Sequence, residues 1–231
     1  MFKTIRADFK AVIERDPAAR EPLGWLEVIL TYAGFHALLS HRLCHFLWKI
    51  KLPFFPRLFS QLARFFTGVE IHPGAVIGRG FFIDHGMGVV IGETTIIGEN
   101  VTIYQGVTLG GTGKDRGKRH PTIGDNVVIG AGSKVLGNIK IGDNVLIGAG
   151  SVVVDPVPSN ATVVGVPAVL VRREGKRVSG SVSLDHADLP HPVQDSLALI
   201  QKEIQVLEEK LSQYRRGKGS KGSSSRDSSM L

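Results

Sequence analysis

Aliphatic residues recur every six positions through the middle of this chain. They fall at Ile71, Ile77 and Ile83, then Ile91, Ile97, Ile103 and Leu109, then Ile123, Ile129, Val135, Ile141, Ile147 and Val153. An α-helix repeats its buried face every three to four residues and a half-buried strand every two, so neither alone makes a period of six. Short strands wound into a coil do. Three such strands make a triangular coil of eighteen residues, and aliphatics eighteen apart stack inside it at the interstrand spacing of about 4.8 Å. Ile123 then lies under Ile141. Glycine directly follows many of these aliphatics, at Gly78, Gly92, Gly98, Gly110, Gly124, Gly130, Gly142 and Gly148. That placement suits either positive φ or close approach of neighbouring backbones. The period assigns a parallel β-solenoid to residues 68–173 and does not set its hand.

The register breaks twice. Ile83 to Ile91 holds two residues too many, within IDHGMGVV, and Leu109 to Ile123 holds eight too many, within GGTGKDRGKRHPT. Neither excess helps the stacking, and both carry polar residues, as functional loops on a regular scaffold do.

Either side of the repeat the period changes. Residues 1–67 read as an α-helical region, with Trp25, Ile29, Tyr32 and Phe35 spaced by three and four. Asp16-Pro17 fits a helix start. The apolar stretch Leu43 to Phe66 is broken by Lys49, Lys51, Pro53, Pro56, Arg57 and Arg64; it is too interrupted to span a bilayer and reads as a packed or subunit-contacting helical segment. Beyond a linker at 174–192, Leu197, Ile200, Ile204, Leu207, Leu211 and Tyr214 alternate steps of three and four. This predicts a coiled-coil-like helix over 193–216, either an intersubunit coil that would clamp a trimer or a helix packed on its own subunit. The fold class is therefore α+β.

The net charge of +7 could indicate a nucleic-acid or membrane surface, but much of the excess sits in one loop and at the C-terminus. Arg215, Arg216, Lys218, Lys221 and Arg226 lie in a Gly/Ser-rich tail, 217–231 for the most part, that reads as disordered. Neither nucleic acid nor membrane is expected as a partner. The single cysteine, Cys44, cannot form an intramolecular disulfide, and MFKTIRADFK lacks the apolar core of a secretion signal. A cytoplasmic location is expected.

The chemistry concentrates in the two breaks. His85 follows Asp84 in the first, and Arg119 and His120 close the second. A histidine can take a proton from a hydroxyl, and a nearby carboxylate can fix its tautomer and stabilise the imidazolium; Glu70, Asp84 and Glu93 are available. GGTGK suggests a phosphate loop, but that template needs a glycine five residues before GK and Ser or Thr after it, where this chain has Thr108 and Asp115. The cluster Lys114, Arg116, Lys118, Arg119 suits an anion or is a solvated loop. His72, His85 and His120 could supply three zinc ligands, yet neither His85 nor His120 has a second histidine within five residues. No metal is expected.

These residues carry a resemblance. RDP at 15–17, GFHAL at 34–38, EIHPGAVIGRG at 70–80, IDHGMGVVIGE at 83–93, and VTLGGTGK with KRHP at 118–121 resemble the serine O-acetyltransferases, members of the hexapeptide-repeat acetyltransferases, from about residue 1 to 173. The resemblance implies a left-handed parallel β-helix and transfer of acetyl from acetyl-CoA to the hydroxyl of L-serine, giving O-acetyl-L-serine and CoA for cysteine synthesis. Carried over by motif, His85 is the general base, Glu70 its carboxylate partner and Asp84 its neighbour in the pocket. Asp16, Asp84, Glu93, Arg119 and His120 match the serine pocket, and Gly110, Gly111 and Ala131 match positions along which the pantetheine arm runs. The oxyanion donors would be backbone N–H groups or His120. Independently of the resemblance, His85 and Gln105 both lie two residues after a repeat aliphatic, which suggests a shared column.

Two departures stand out. Glu70 replaces the aspartate of enterobacterial relatives, and the N-terminal region is shorter than in long forms, where it pairs trimers into hexamers. A homotrimer is expected, with the hexamer as the alternative. Family members often offer a C-terminal isoleucine peptide to O-acetylserine sulfhydrylase; here Leu231 of Ser-Ser-Met-Leu would take that place. The resemblance also implies feedback inhibition by L-cysteine.

Overall fold

The computed structural model describes residues 2–113, 116–177, 200–208 and 210, in two units, 1–181 and 182–231. In the second unit residues 200–208 are helical, with Ile200, Ile204 and Leu207 half exposed. The remainder of the 193–216 helix, most of the 174–192 linker and the 217–231 tail lie outside the described residues.

The period of six is realised as strands of two or three residues joined by tight turns, aligned into three parallel sheets. The first holds Glu70–Ile71, Val90–Ile91, Thr108–Gly110, Lys134–Leu136 and Val152–Val153. The second holds Val76–Ile77, Ile96–Ile97, Thr122–Ile123 and Lys140–Ile141. The third begins with Phe82–Ile83, Thr102–Ile103, Val128–Ile129 and Leu146–Ile147. Ile123 pairs with Ile141, as the period requires. Ile91, Ile103, Leu109, Ile123, Ile129, Ile141 and Ile147 are fully buried along the axis. Each such side chain contributes about 1.5–3 kcal/mol on leaving water, so these columns hold the coils together.

Of the two reasons for the repeat glycines, close approach is the operative one. None of the eight has positive φ; a Cβ on Gly78 would meet Gly98, and one on Gly98 would meet Gly124, in the coil above. Positive φ falls elsewhere: Asn100, Asn126, Asn144 and Asn160, with φ of 56–58°, stack at one corner, and Gly88, Gly106, Gly132 and Gly150, with φ of 68–76°, at another. Asparagine tolerates that region because its short amide bonds locally, and here the amides also stack: Asn126 Nδ2 donates to Asn144 Oδ1 at 3.2 Å and Asn144 Nδ2 to Asn160 Oδ1 at 2.9 Å.

The β-structure runs past the expected boundary at residue 173. Ala161–Gly165 pairs antiparallel with Ala168–Arg173, which pairs with Lys176–Arg177. Glu174 and Gly175 make the last turn with φ of 51° and 72°, the two positive values that a two-residue hairpin matched to strand twist needs.

The last helix before the coil ends at Thr67. The helices are α1 (Phe2–Arg15), α2 (Gly24–Thr31), α3 (Ala33–Lys49) and α4 (Phe55–Thr67). Asp16 stands just before a short 3-10 turn, Ala18–Arg20, and its carboxylate accepts the Ala18 N–H at 2.9 Å. A buried ion pair pins α1 and α3 to the first coil. Arg42 forks onto Asp8 at 3.1–3.3 Å and donates to the carbonyls of Ile77 and Gly78, while Asp8 accepts the N–H groups of Gly80 and Phe81 at 2.8 and 3.3 Å. α4 buries Pro56, Ser60 and Thr67 and turns Phe59, Leu62, Phe65 and Phe66 outward. Among the described residues no helix is long and apolar enough to cross a membrane.

His41 on α3 is buried, and neither ring nitrogen has a hydrogen-bond partner among the described residues. Burial, with Arg42, His45 and His72 adding repulsion, pushes its pKa down to about 3. The unfolded chain therefore binds a proton that the folded chain refuses. Stability is full above pH about 6.5 and falls as pH drops toward about 3, at about 1.4 kcal/mol per pH unit from this group. His72, lowered to about 4 mainly by burial, acts in the same direction, and Asp8, raised by burial, opposes both at the acid end. Urea midpoints measured from about pH 7 to about pH 5 are expected to fall, and His41→Leu is expected to flatten the slope.

Candidate active site

The first register break lies at the corner between the third and first sheets. Asp84 N–H bonds Ile103 O, Gly106 N–H bonds Met87 O and Gly132 N–H bonds Gln105 O. Tyr104 is thus level with Asp84, while Gln105 shares a column with Met87 and Ala131. The two surplus residues are His85 and Gly86, with φ of 57° and 83°. This corrects the expected column of His85 with Gln105. Because the coil has no rung for it, His85 bulges out of the prism with its side chain 75% exposed.

The break opens a cavity of about 420 Å³ lined by Asp16, Thr31, Tyr32, Gly34, Asp84 and His85, among others. Asp84 Oδ1 is 4.0 Å from His85 Nε2. The Tyr32 hydroxyl donates to Asp16 Oδ2 at 2.6 Å, and burial first, then the Asp16 bond, push its pKa up to about 12. Tyr32 therefore stays protonated and keeps the Asp16 carboxylate turned in one direction. A Cβ on Gly34 would strike Ile83, so α3 passes directly over this corner.

Glu70 takes a different partner within the chain from the expected one. Its carboxylate pairs with Arg64 of α4 at 3.2 Å, and no hydrogen bond or ion pair among the described residues joins it to His85.

The second break lies at the corner between the first and second sheets. Arg119 ion-pairs with Glu93, whose pKa that bond lowers. Thr94 lies beneath them: its hydroxyl oxygen accepts the N–H groups of Arg119 and His120 at 3.0 and 3.1 Å and is 2.9 Å from His120 Nδ1. Lys118 Nζ donates to the carbonyls of Thr94, His120 and Pro121. Burial, then Arg119 and Lys118, lower the pKa of His120. His72 borders this group, a Cβ on Gly74 standing 3.1 Å from both His72 Nδ1 and Glu93 O. Gly111 borders this group, a Cβ there standing 3.1 Å from Arg119 Cγ and 3.3 Å from His120 Nε2. Gly110 closes the preceding strand opposite Leu136.

The expected site residues therefore fall into two groups. Asp16, Asp84 and His85 meet at one corner, with Ala131 in the column of that corner. Glu93, Arg119, His120 and Gly111 meet at another. The first sheet separates them, so His72, His85 and His120 do not converge either. Among the described residues no cluster of three or more His, Cys, Asp or Glu could hold a metal. Sequence reasoning missed Tyr32 and Thr94. Tyr32 looks like one more apolar residue at helical spacing, and Thr94 resembles the other polar residues of the repeat.

Gly92 leaves room for His120, because a Cβ there would collide with the imidazole ring. Gly92→Ala is expected to displace the ring, lowering kcat/KM by about 10²-fold with little change in the thermal midpoint. Steady-state kinetics beside a thermal melt checks this.

Two family models match the chain: Serine acetyltransferase, N-terminal, over residues 1–40, and Bacterial transferase hexapeptide (six repeats), over residues 120–155. A curated serine acetyltransferase of Synechocystis sp. is 56% identical over 211 residues, 91% of this chain and 82% of its own length. The crystal structure of Neisseria gonorrhoeae serine acetyltransferase (CysE) superposes with a TM-score of 0.72 at 48% identity. That match covers 74% of this chain, and this chain spans 65% of the gonococcal one. A serine acetyltransferase solved in complex with cysteine matches at a TM-score of 0.70 and 46% identity, covering 74% of this chain and 69% of that one. The left-handed parallel β-helix of these structures is the fold of this chain.

Proposed function

Because this chain belongs to the serine acetyltransferase family and is an acetyltransferase acting on serine, we propose that it uses acetyl-CoA and that His85 is the base that deprotonates the serine hydroxyl. The observation that carries the assignment is the bulge of His85 from the coil into a cavity walled by Asp16 and Asp84. Two carboxylates there suit the ammonium group of an amino acid. Arg119, held by Glu93, offers a planar fork for the carboxylate, beside His120.

The reaction follows. Serine Oγ attacks the thioester carbonyl carbon as His85 takes the hydroxyl proton; the C=O pair moves to oxygen. Collapse of the tetrahedral species breaks the C–S bond, and the CoA sulfur leaves with the proton that His85 carried. Asp84 is the carboxylate nearest the imidazolium; Glu70 could serve only by releasing Arg64. Gly110, Gly111 and Ala131 would line the pantetheine arm. O-acetyl-L-serine feeds cysteine synthesis, and L-cysteine, differing from serine only in thiol for hydroxyl, would occupy the same pocket as an inhibitor.

The two groups stand at different corners of one prism and cannot close on one serine molecule within a chain. A triangular coil that sets the His85 corner of one copy against the Arg119 corner of the next closes a ring of three, a heterologous contact repeated by rotation. The outward Phe59, Leu62, Phe65 and Phe66 fit a chain that is not a monomer. We therefore favour a homotrimer, with the hexamer as the alternative, acting in the cytoplasm. O-acetylserine sulfhydrylase would be met by the C-terminal segment ending in Leu231.

Loss of acetyl-CoA thioester with L-serine, against sugar and amine acceptors at equal concentration, tests the reading. Turnover confined to serine is expected; turnover of a sugar with none of serine would overturn the substrate assignment while leaving the acyl transfer.

A further inference from the structure

We infer that Thr94 is a positioning residue that holds His120 as its Nε2–H tautomer, and that His120 donates a hydrogen bond from Nε2 to the acetyl carbonyl oxygen. The inference rests on the acetyltransferase reading above. A threonine hydroxyl has two lone pairs and one proton. The Arg119 and His120 N–H groups converge on the Thr94 oxygen at 3.0 and 3.1 Å. The lone pairs are thereby engaged, and what Oγ1 can offer to His120 Nδ1, 2.9 Å away, is its proton. Thr94 N–H points at the same Nδ1 from 3.3 Å. A ring nitrogen that receives two donors is an acceptor, so the proton of the neutral imidazole resides on Nε2. Protonating Nδ1 would set its new N–H against both donors, so the geometry also opposes the cation. Burial and the neighbouring Arg119 and Lys118 act in the same sense.

Nε2 has no hydrogen-bond partner among the described residues, and it lies beside two glycines. The hypothetical Cβ of Gly111 is 3.3 Å from it, and that of Gly92 would overlap the ring. The donor thus lies against the backbone of Gly111, along which the proposed pantetheine arm would run. Lys118 Nζ, bonded to the carbonyls of Thr94, His120 and Pro121, ties together the two backbone segments that carry the hub. In the reaction His120 neither gains nor loses a proton. It stabilises the oxyanion while serine Oγ bonds to the carbonyl carbon and the proton moves to His85 and then to the leaving sulfur. A preformed neutral donor aimed at developing charge is the arrangement that gives oxyanion sites their effect.

The test uses the full-length enzyme with isotope-labelled histidine. Nitrogen-detected NMR reports which ring nitrogen of His120 bears the proton, independently of which acceptor the enzyme uses, so it stands even if the serine assignment fails. Wild type is expected to show Nε2–H, and Thr94→Ser to keep it. Thr94→Val is expected to lose that tautomer and lower kcat by about 10²-fold, the low end of what loss of one oxyanion donor costs, with KM for serine little changed. Nδ1–H in wild type overturns the inference. So does a Thr94→Val variant whose tautomer shifts without loss of kcat, or whose defect lies in KM alone. Wild type and Thr94→Ser carry the tautomer test should Thr94→Val fail to fold.

Discussion

His85→Ala is expected to lower kcat for serine acetylation by about 10²- to 10⁴-fold, the range a positioned general base supplies, and to leave the thermal midpoint within about 1 °C of wild type. The stability expectation follows from placement: the side chain is 75% exposed on a bulge that the coil does not need for stacking. The KM for acetyl-CoA should hold, because His85 meets the cofactor's reacting carbon only through serine. Steady-state kinetics beside a thermal melt checks both halves. The same variant tests the shared site. Arg119→Ala disables the other corner, so a mixed assembly of the two inactive chains contains interfaces with both corners intact, about one in four on random association. Recovery of activity on co-refolding is the expected result; two inactive parents that stay inactive when mixed would place the whole site within one chain.

Asp8→Ala is expected to destabilise the enzyme by about 3–5 kcal/mol, the cost of leaving a buried charge without its partner. Asp8 and Arg42 are 2% and 11% exposed, so water cannot replace the lost carboxylate. The backbone N–H groups of Gly80 and Phe81 lose their acceptor as well. Urea denaturation gives the magnitude. Replacing both partners by apolar residues, Asp8→Leu with Arg42→Met, should recover only the part due to the uncompensated charge, because the Gly80 and Phe81 N–H groups still lack their acceptor. An additive loss in the double variant would show that the pair was not coupled. There is a functional consequence too. α1 ends at Arg15 and delivers Asp16 to the His85 cavity, with Arg15 Nη1 bonded to Gly80 O at 3.1 Å and Thr102 Oγ1 at 3.0 Å. Loosening the pin in a milder variant, Asp8→Asn, should therefore raise the serine KM more than it lowers kcat.

The chain's fold was legible because each coil repeats the same demand. An aliphatic every six residues must be buried, and only stacked short strands bury all of Ile71 through Val153 on one axis. Register breaks were legible for the complementary reason: Asp84-His85 and Arg119-His120 stand where the repeat has no use for extra residues. The role of the repeat glycines was open from sequence between φ and close approach, because both demand the absence of Cβ. Packing against the next coil decided it, and the left-handed corners went to a column of asparagines and to a different column of glycines.

The sequence by itself determined the prism, its helical preface, the two breaks and the residue types that do the chemistry, because each is a local or periodic property of the chain. Which breaks share a corner was decided only by tertiary structure. That depends on how many residues each turn absorbs, and it set His85 and Asp16 apart from Arg119 and His120. Tertiary structure also gave Glu70 to Arg64, Tyr32 to Asp16 and Thr94 to His120. A side chain's hydrogen-bond partner depends on which distant backbone arrives beside it, and nothing in a residue's own sequence neighbourhood records that arrival.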